Sequence, residues 1–262
     1  MPELPEVENE LLYLQGTALG QTILRASVFE PRLIKRPSPA AFARLIRGRR
    51  MVNAHRRGKY LIITLDNCHA LILHFGMGGG LTVYREKKDR PRFTRIDFAL
   101  GNGCRMAFTC PRNICRVMVT EQASDVRAID RMGPEPLGEN FSFSYLKQQI
   151  ARSPSRRIKA LLMDQSRIAG IGNIYADEIL HTAGVRPDRA ASSLTEQELK
   201  RVYRATRLIL KRAIETGGDP EFPPGFLLSR SGRGAGCSRC GTEIEKIKVG
   251  GRTSYFCSHC QR

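Results

Sequence analysis

Arg95-Ile96-Asp97-Phe98-Ala99-Leu100-Gly101-Asn102-Gly103-Cys104-Arg105-Met106-Ala107-Phe108-Thr109-Cys110 sets the architecture of the first half of the chain. Two short runs, Arg95–Leu100 and Arg105–Cys110, flank Gly101-Asn102-Gly103. Asn-Gly tolerates the positive φ that a tight hairpin demands. Outward from this hairpin the pattern repeats. Gln21–Phe29, Met51–His55, Tyr60–Leu65, Ala70–Phe75 and Leu81–Tyr84 read as strands, separated by Gly, Asp and Asn, and Cys115–Thr120 closes the series. Pro39–Gly48 reads as a short helix with an apolar face of Phe42, Leu45 and Ile46. Many short strands joined by turns favour an antiparallel sandwich or barrel.

After Gln122 the apolar period changes to that of helices, expected over Ala123–Arg131, Phe143–Ala151, Ser155–Met163, Asn173–Thr182 and Thr195–Thr216. The last has a capping box, Thr195 with Glu198, and Gly217-Gly218 as its stop. Gly133-Pro134-Glu135-Pro136 reads as the domain linker, and residues 217–236 as a second loop or linker. The expected division is 1–132, 133–220 and 221–262, with no internal repeat and no low-complexity tract.

The chain has 262 residues, enough for two modest domains and a small module. Lys and Arg number 43 against 25 Asp and Glu, a net charge of +18. That excess argues for a polyanionic partner, nucleic acid before membrane. No apolar run approaches the roughly 18 residues of a spanning helix, and the acidic N-terminus has no signal-peptide character. The expectation is a cytoplasmic, nucleoid-associated protein with reduced thiols.

Cys237-x2-Cys240-x16-Cys257-x2-Cys260 is the strongest single signal. Two knuckles at this spacing supply four thiolates for one tetrahedral structural zinc ion. Lys246–Gly250 and Thr253–Phe256 read as a hairpin over the metal, and His259 as a bystander. Cys68, Cys104, Cys110 and Cys115 lack ligand spacing and read as small buried hydrophobes. Ser166–Leu180 contains Gly170-Ile171-Gly172-Asn173. It reads as a tight turn between two helices, with Asn173 capping the second and outward N–H groups suited to phosphate. His55-Arg56-Arg57-Gly58-Lys59-Tyr60 puts cations before an apolar strand, either a solvated loop or a phosphate clamp.

The chain opens Met1-Pro2-Glu3-Leu4-Pro5-Glu6-Val7-Glu8. Methionine is commonly trimmed before so small a residue, which would expose the secondary amine of Pro2. An α-amino group titrates near about 7.7–8.0, so part of it is nucleophilic at neutral pH and able to form an imine. Glu3 beside it can shuttle protons. Pro5 suits the first turn of a helix whose apolar positions are Val7, Leu11 and Leu14 and which stops at Gly16.

The N-terminal octapeptide, Arg57-Gly58-Lys59-Tyr60-Leu61, His74-Phe75-Gly76-Met77, Gly133-Pro134-Glu135-Pro136-Leu137, Gly170-Ile171-Gly172-Asn173-Ile174-Tyr175 and the four-cysteine finger follow one another in this order. The chain thereby resembles the formamidopyrimidine-DNA glycosylase family over essentially its whole length. The Leu-Pro-Glu-Val form of the N-terminus is closer to that branch than to endonuclease VIII. The resemblance implies an α+β fold: an N-terminal antiparallel β-sandwich with an N-terminal helix, a helix-two-turn-helix domain and a C-terminal zinc finger hairpin. It implies base excision repair: removal of oxidised bases from damaged double-stranded DNA by a monomer, followed by β,δ-elimination. On it, Pro2 is the nucleophile at C1′, Glu3 the proton carrier and Lys59 an aid to elimination near the lesion phosphate. Asn173 and Arg252 hold backbone phosphates, Arg252 also being linked to the second elimination. Met77, Arg112 and the residue at Ile114 fill the gap left by the everted base.

The departures are specific. The family usually shows Asp-Pro-Arg-Arg-Phe where this chain has Cys110-Pro111-Arg112-Asn113-Ile114. An aromatic stack, worth roughly 1–3 kcal/mol per base in single-strand binders, is replaced by Ile114. A phosphate-contacting histidine of the family is replaced near Phe93. The loop from Gly217 to Gly236 is shorter than the family's form, which points to lesions other than 8-oxoguanine: formamidopyrimidines, hydantoins or oxidised pyrimidines. Two other readings are a non-catalytic damaged-DNA binder on the same scaffold and an RNA-binding zinc-ribbon protein.

Overall fold

The computed structural model describes residues 2–218, 222, 225–227 and 236–262. The elements in chain order begin with α1 (Leu4–Thr17), β1 (Thr22–Val28), β2 (Ile34–Arg36), α2 (Pro39–Ile46), β3 (Arg49–Arg57) and β4 (Tyr60–Leu65). Next come β5 (Ala70–His74), β6 (Gly80–Tyr84), β7 (Thr94–Leu100), β8 (Arg105–Thr109), β9 (Arg116–Thr120) and α3 (Arg127–Asp130). The series ends with α4 (Phe143–Ala151), α5 (Ile158–Leu162), α6 (Asn173–Ala183), α7 (Glu196–Glu215), β10 (Glu245–Val249) and β11 (Arg252–Phe256). They form two units: Glu6–Arg131 with Pro2, and Met132–Arg262 with Glu3–Pro5.

In the first unit the Gly101-Asn102-Gly103 hairpin joins β7 and β8, with Gly103 at φ 81° and the Leu100 N–H donating to Cys104 O. Ile96, Phe98 and Leu100 alternate inward along β7, the period-2 pattern of a strand with one buried face. Nine strands run in the order β2-β9-β5-β4-β3-β1-β7-β8-β6. Only two residue pairs, Thr22↔Arg50 and Ile23↔Arg49, connect β1 to β3. The sheet therefore folds as two leaves of a sandwich over one core, into which α1 places Val7, Leu11 and Leu14. Helix α1 continues past Gly16 to Thr17; Gly20, at φ 86°, carries the turn instead. One strand was not expected: the three-residue β2 pairs parallel with β9, so the sheet is not wholly antiparallel.

The expected helix over Ala123–Arg131 is absent as such. A 3-10 turn over Ala123–Asp125 is followed by the single turn α3, because Val126 between them is extended and the Asp125 carboxylate caps the Gln122 N–H. Short acidic side chains compete with the helical backbone in this way. The cysteine reading also needs correction. Cys110 and Cys115 are buried but joined in a disulfide, Cys68 is exposed and Cys104 is half-buried. The turn Pro111–Ile114 leaves the Cα atoms of the pair 6.1 Å apart, within disulfide reach.

The second unit packs α4, α5, α6 and α7 over a core that includes Phe141, Leu161, Tyr175, Ile179, Val202 and Leu210. The α7 capping box is formed in both directions, Glu198 N–H to Thr195 Oγ1 (3.2 Å) and Thr195 N–H to Glu198 Oε2 (2.7 Å). Gly217 and Gly218, both at positive φ, follow its end. Helix α5 starts three residues later than Ser155, because Arg157 is extended and bridges Ala190. The four-cysteine module belongs to this unit, and β10 and β11 pair through Gly250-Gly251, at φ 56° and 75°. The expected boundary at residue 220, and much of the 217–236 loop, lie outside the described residues. Among the described residues no helix is long and apolar enough to cross a membrane.

Candidate functional site

Glu3 is 1% exposed and belongs to the second unit. Its Oε2 accepts the N–H groups of Gly172 (2.6 Å) and Tyr175 (3.4 Å), and its Oε1 that of Ile174 (3.0 Å). These are the orphan donors at the start of α6, whose N-cap Gly172 has no side chain to satisfy them. A carboxylate at the positive end of a helix is favoured on electrostatic grounds as well. The Leu4 N–H donates to Gly170 O (3.0 Å), and a Cβ at Gly170 would lie 2.7 Å from that of Leu4. Two expectations change here. The N–H groups of Gly172, Ile174 and Tyr175 are taken by Glu3 and that of Gly170 by Gln165 Oε1, not left for phosphate, and Gly172, not Asn173, is the cap.

Helix α6 seats the finger along one face. Asn173 Nδ2 donates to Thr253 O (3.0 Å), while its buried Oδ1 has no partner among the described residues. Asp177, one turn on, accepts from Ser254 Oγ (2.5 Å) and Tyr255 N–H (3.1 Å). Lys159 of α5, fully buried, reaches Asp177 Oδ1 at 2.8 Å and Thr253 O at 3.3 Å. Burial pushes the Asp177 carboxyl up and the Lys159 amine down, and their mutual attraction opposes both shifts. Arg252, at the start of β11, lines a cavity of about 420 Å³ with Arg156, Asp164 and Gln165.

The sulfur atoms of Cys237, Cys240, Cys257 and Cys260 lie within 4.8 Å of one another. Metal–sulfur bonds of about 2.3 Å in a tetrahedron put the sulfurs about 3.8 Å apart, so the donor set fits a structural metal ion. His181 Nε2 is 3.3 Å from Cys237 Sγ. Burial, then nearby Arg239, hold the imidazole down at about 4. It is neutral at pH 7 and suited to donate to a thiolate. His259 lies outside the cluster. Sequence reasoning missed Lys159, Asp177 and His181. The spacing Asn173, Asp177, His181 was its available signal, since residues four apart share a helix face.

In the first unit Lys59 follows Gly58 in the two-residue turn between β3 and β4 and is 8% exposed. His74, its imidazole 4.8 Å from the Tyr60 ring, is held down at about 4 by burial first and then by Arg116 and Lys59. Its neutral Nδ1 accepts the Gly76 N–H (3.3 Å) and so fixes the loop that carries Met77. Of the expected cation cluster, Arg56 is committed to Glu8 (2.6 Å) and to Gly58 O. Met77, Arg112 and Ile114 come together on the surface. Met77 is 36% and Ile114 49% exposed, and Arg112 Nη1 stands 3.6 Å from Met77 Sδ.

The sequence matches the formamidopyrimidine-DNA glycosylase N-terminal domain over residues 1–117 and that family's H2TH domain over 132–221. Residues 237–262 match the zinc finger found in FPG and IleRS. It is 41% identical to the formamidopyrimidine-DNA glycosylase of Pelotomaculum thermopropionicum, covering all of this chain and 99% of that one. Among solved structures, the MutM (FPG) protein of Thermus thermophilus superposes with a TM-score of 0.84 at 37% identity, over 99% of this chain and 98% of that one. The Lactococcus lactis enzyme bound non-covalently to AP-site-containing DNA gives 0.90 at 29% identity over 99% of both chains. The chain belongs to the formamidopyrimidine-DNA glycosylase family.

Proposed function

We propose that this glycosylase works on damaged duplex DNA as a bifunctional enzyme, excising the base and then cleaving the strand. The observation that carries the reading is Glu3, peptide-bonded to Pro2 and clasped by three N–H donors at the start of α6. A carboxylate so held is a fixed proton acceptor and donor beside the N-terminal residue.

In the proposed reaction the Pro2 amine, freed by removal of Met1, attacks C1′ of an everted nucleotide. The bond from C1′ to the base breaks, and the base leaves with a proton. A proton relayed through Glu3 to O4′ then lets the C1′–O4′ bond break, which opens the sugar ring, and the iminium so formed acidifies the C2′ proton. Its removal expels the 3′ phosphate, and a second elimination expels the 5′ phosphate. Glu3 carries protons at the sugar, Lys59 assists elimination, and Asn173 and Arg252 hold the flanking phosphates. Met77, Arg112 and Ile114 occupy the space of the everted base. One zinc ion on Cys237, Cys240, Cys257 and Cys260 is structural, fixing the hairpin that carries Arg252.

Support for damaged DNA as substrate comes from relatives seen with Fapy-dG DNA and with AP-site DNA. The length of the 217–236 stretch supports a substrate range moved from 8-oxoguanine toward formamidopyrimidines, hydantoins or oxidised pyrimidines, and the aliphatic wedge supports an altered opposite-base preference. Borohydride trapping on a panel of lesion duplexes tests the reading. A covalent adduct that vanishes in Pro2→Gly supports it. The absence of an adduct with every duplex, the abasic one included, would favour a non-catalytic damage binder. Efficient, cytosine-dependent release of 8-oxoguanine would refute the shifted range.

A further inference from the structure

We propose that Cys110 and Cys115 are positioning residues. Their reversible cross-link pre-forms the surface loop bearing Arg112 and Ile114, so that engagement of a lesion depends on the thiol–disulfide state of this pair. The inference rests on the reading of Met77, Arg112 and Ile114 as the gap-filling group.

The two cysteines bracket that loop. Cys110 directly follows β8 and Cys115 directly precedes β9; they are 0% and 1% exposed, while Pro111–Ile114 between them are exposed. The cross-link closes the base of the loop and leaves its working side chains in solvent. It also reaches the neighbouring loop. A Cβ on Gly79 would lie 2.9 Å from Cys115 Sγ, and one on Gly76, at φ 56°, would lie 2.9 Å from Cys115 N and from Ile114 C and O. The segment carrying Met77 is thus packed backbone to backbone on the cysteine pair.

Both redox states have hydrogen-bond partners available. The Cys115 N–H donates to Cys110 Sγ (3.2 Å). When the pair is reduced, the Cys115 thiol has Phe75 O at 3.1 Å to donate to. Reduction therefore leaves the Cys115 thiol and the Cys115 N–H with partners, and it frees the four intervening residues. Asn113 sits at φ 53°, in the left-handed region that asparagine tolerates better than most residues other than glycine. A loop closed through its two ends samples fewer conformations, and a wedge already shaped for insertion loses less freedom on binding.

The chemistry is ordinary exchange. Opening of the exposed Pro111–Ile114 loop brings one cysteine to solvent, where its thiolate attacks a low-molecular-weight disulfide and expels one thiolate. The second cysteine then attacks the first cysteine's sulfur and expels the other. Two thiols and one small disulfide become one intramolecular disulfide and two small thiols, and the reverse consumes two small thiols.

The test equilibrates the full-length, metal-loaded protein in thiol–disulfide buffers. Metal content is followed throughout, and thiol alkylation read by mass identifies the state of Cys110 and Cys115. Exposed Cys68 reports alkylation in every sample. The oxidised protein is expected to bind lesion duplex on the order of tenfold more tightly than the reduced one, reversibly, with the rate of abasic-strand cleavage from the bound complex unchanged. Cys110→Ser/Cys115→Ser is expected to stay at the reduced value in every buffer. Equal binding by both states, or a double variant that still follows the buffer, overturns the proposal. An Ile114→Gly variant separates this from the underlying reading. If it binds lesions normally, the wedge reading falls and this proposal with it. If it binds poorly while redox state has no effect, the cross-link proposal alone falls.

Discussion

Replacing Lys159 with methionine keeps the chain length and removes the charge. Lys159 Nζ is 2.8 Å from Asp177 Oδ1, and the two side chains are 0% and 2% exposed. Without the ammonium, the Asp177 carboxylate stays buried with two neutral donors, Ser254 Oγ and Tyr255 N–H. Breaking a buried pair on one side costs about 3–5 kcal/mol. The two remaining hydrogen bonds place this case near the lower end, about 3 kcal/mol. Lys159→Met/Asp177→Asn removes both charges; the amide oxygen can accept from the Tyr255 N–H while the amide NH2 donates to Ser254 Oγ, so it is expected to regain roughly half of that loss. The chain has no tryptophan, so urea unfolding would be followed by circular dichroism, with release of the finger's metal to a chromophoric chelator as the local probe. Both probes are expected to shift in the single variant. A single variant within about 1 kcal/mol of wild type, or a double variant no better than the single, would refute the reasoning.

Three further outcomes are expected. Burial raises Glu10 to about 7, although the Leu81 N–H hydrogen bond opposes this. Between its ordinary value and about 7 the folded state holds a proton that the unfolded state has lost, so stability falls as pH rises through this window, by up to about 3 kcal/mol. Glu10→Gln should flatten that slope in urea titrations at pH 5 and pH 8. Gly170→Ala puts a Cβ at φ 80°, 2.7 Å from Leu4 Cβ. It should destabilise the fold by about 2 kcal/mol or more and lower excision more than duplex binding, as read by single-turnover rates beside gel-shift affinities. Chelating the finger's metal should melt the β10–β11 hairpin, since so small a module depends on its metal for folding. Loss of hydrogen-exchange protection over Glu245–Phe256 would show it, with metal analysis of the untreated protein returning one zinc per chain.

What could be read from the sequence was mostly local. Gly101-Asn102-Gly103 announces its hairpin because the turn is decided by two backbone angles, and Thr195 with Glu198 announces α7 because both partners lie within one turn. The cysteine spacing fixes the metal cluster for the same reason. What failed was non-local or steric. Strand β2 has three residues and exists only because β9, some eighty positions away, runs beside it. The orphan N–H groups of α6 looked like a phosphate site because nothing in Ser166–Leu180 shows that Glu3 occupies them. The Cys110–Cys115 bond depends on a turn with Asn113 at positive φ, which the spacing alone does not reveal. His181 and Asp177 were within reach of sequence reasoning; Asn173, Asp177 and His181 recur every four residues and so mark a polar stripe along one face of the helix.

The most direct measurement is the mass of the trapped complex. Protein reduced with borohydride on a formamidopyrimidine duplex would be digested with protease and nuclease, and the modified peptide sequenced by tandem mass spectrometry. The expected result is a chain beginning at Pro2 with the sugar remnant on the Pro2 nitrogen. A remnant on Lys59 or another lysine, or robust base release from protein that retains Met1, would contradict the proposed chemistry.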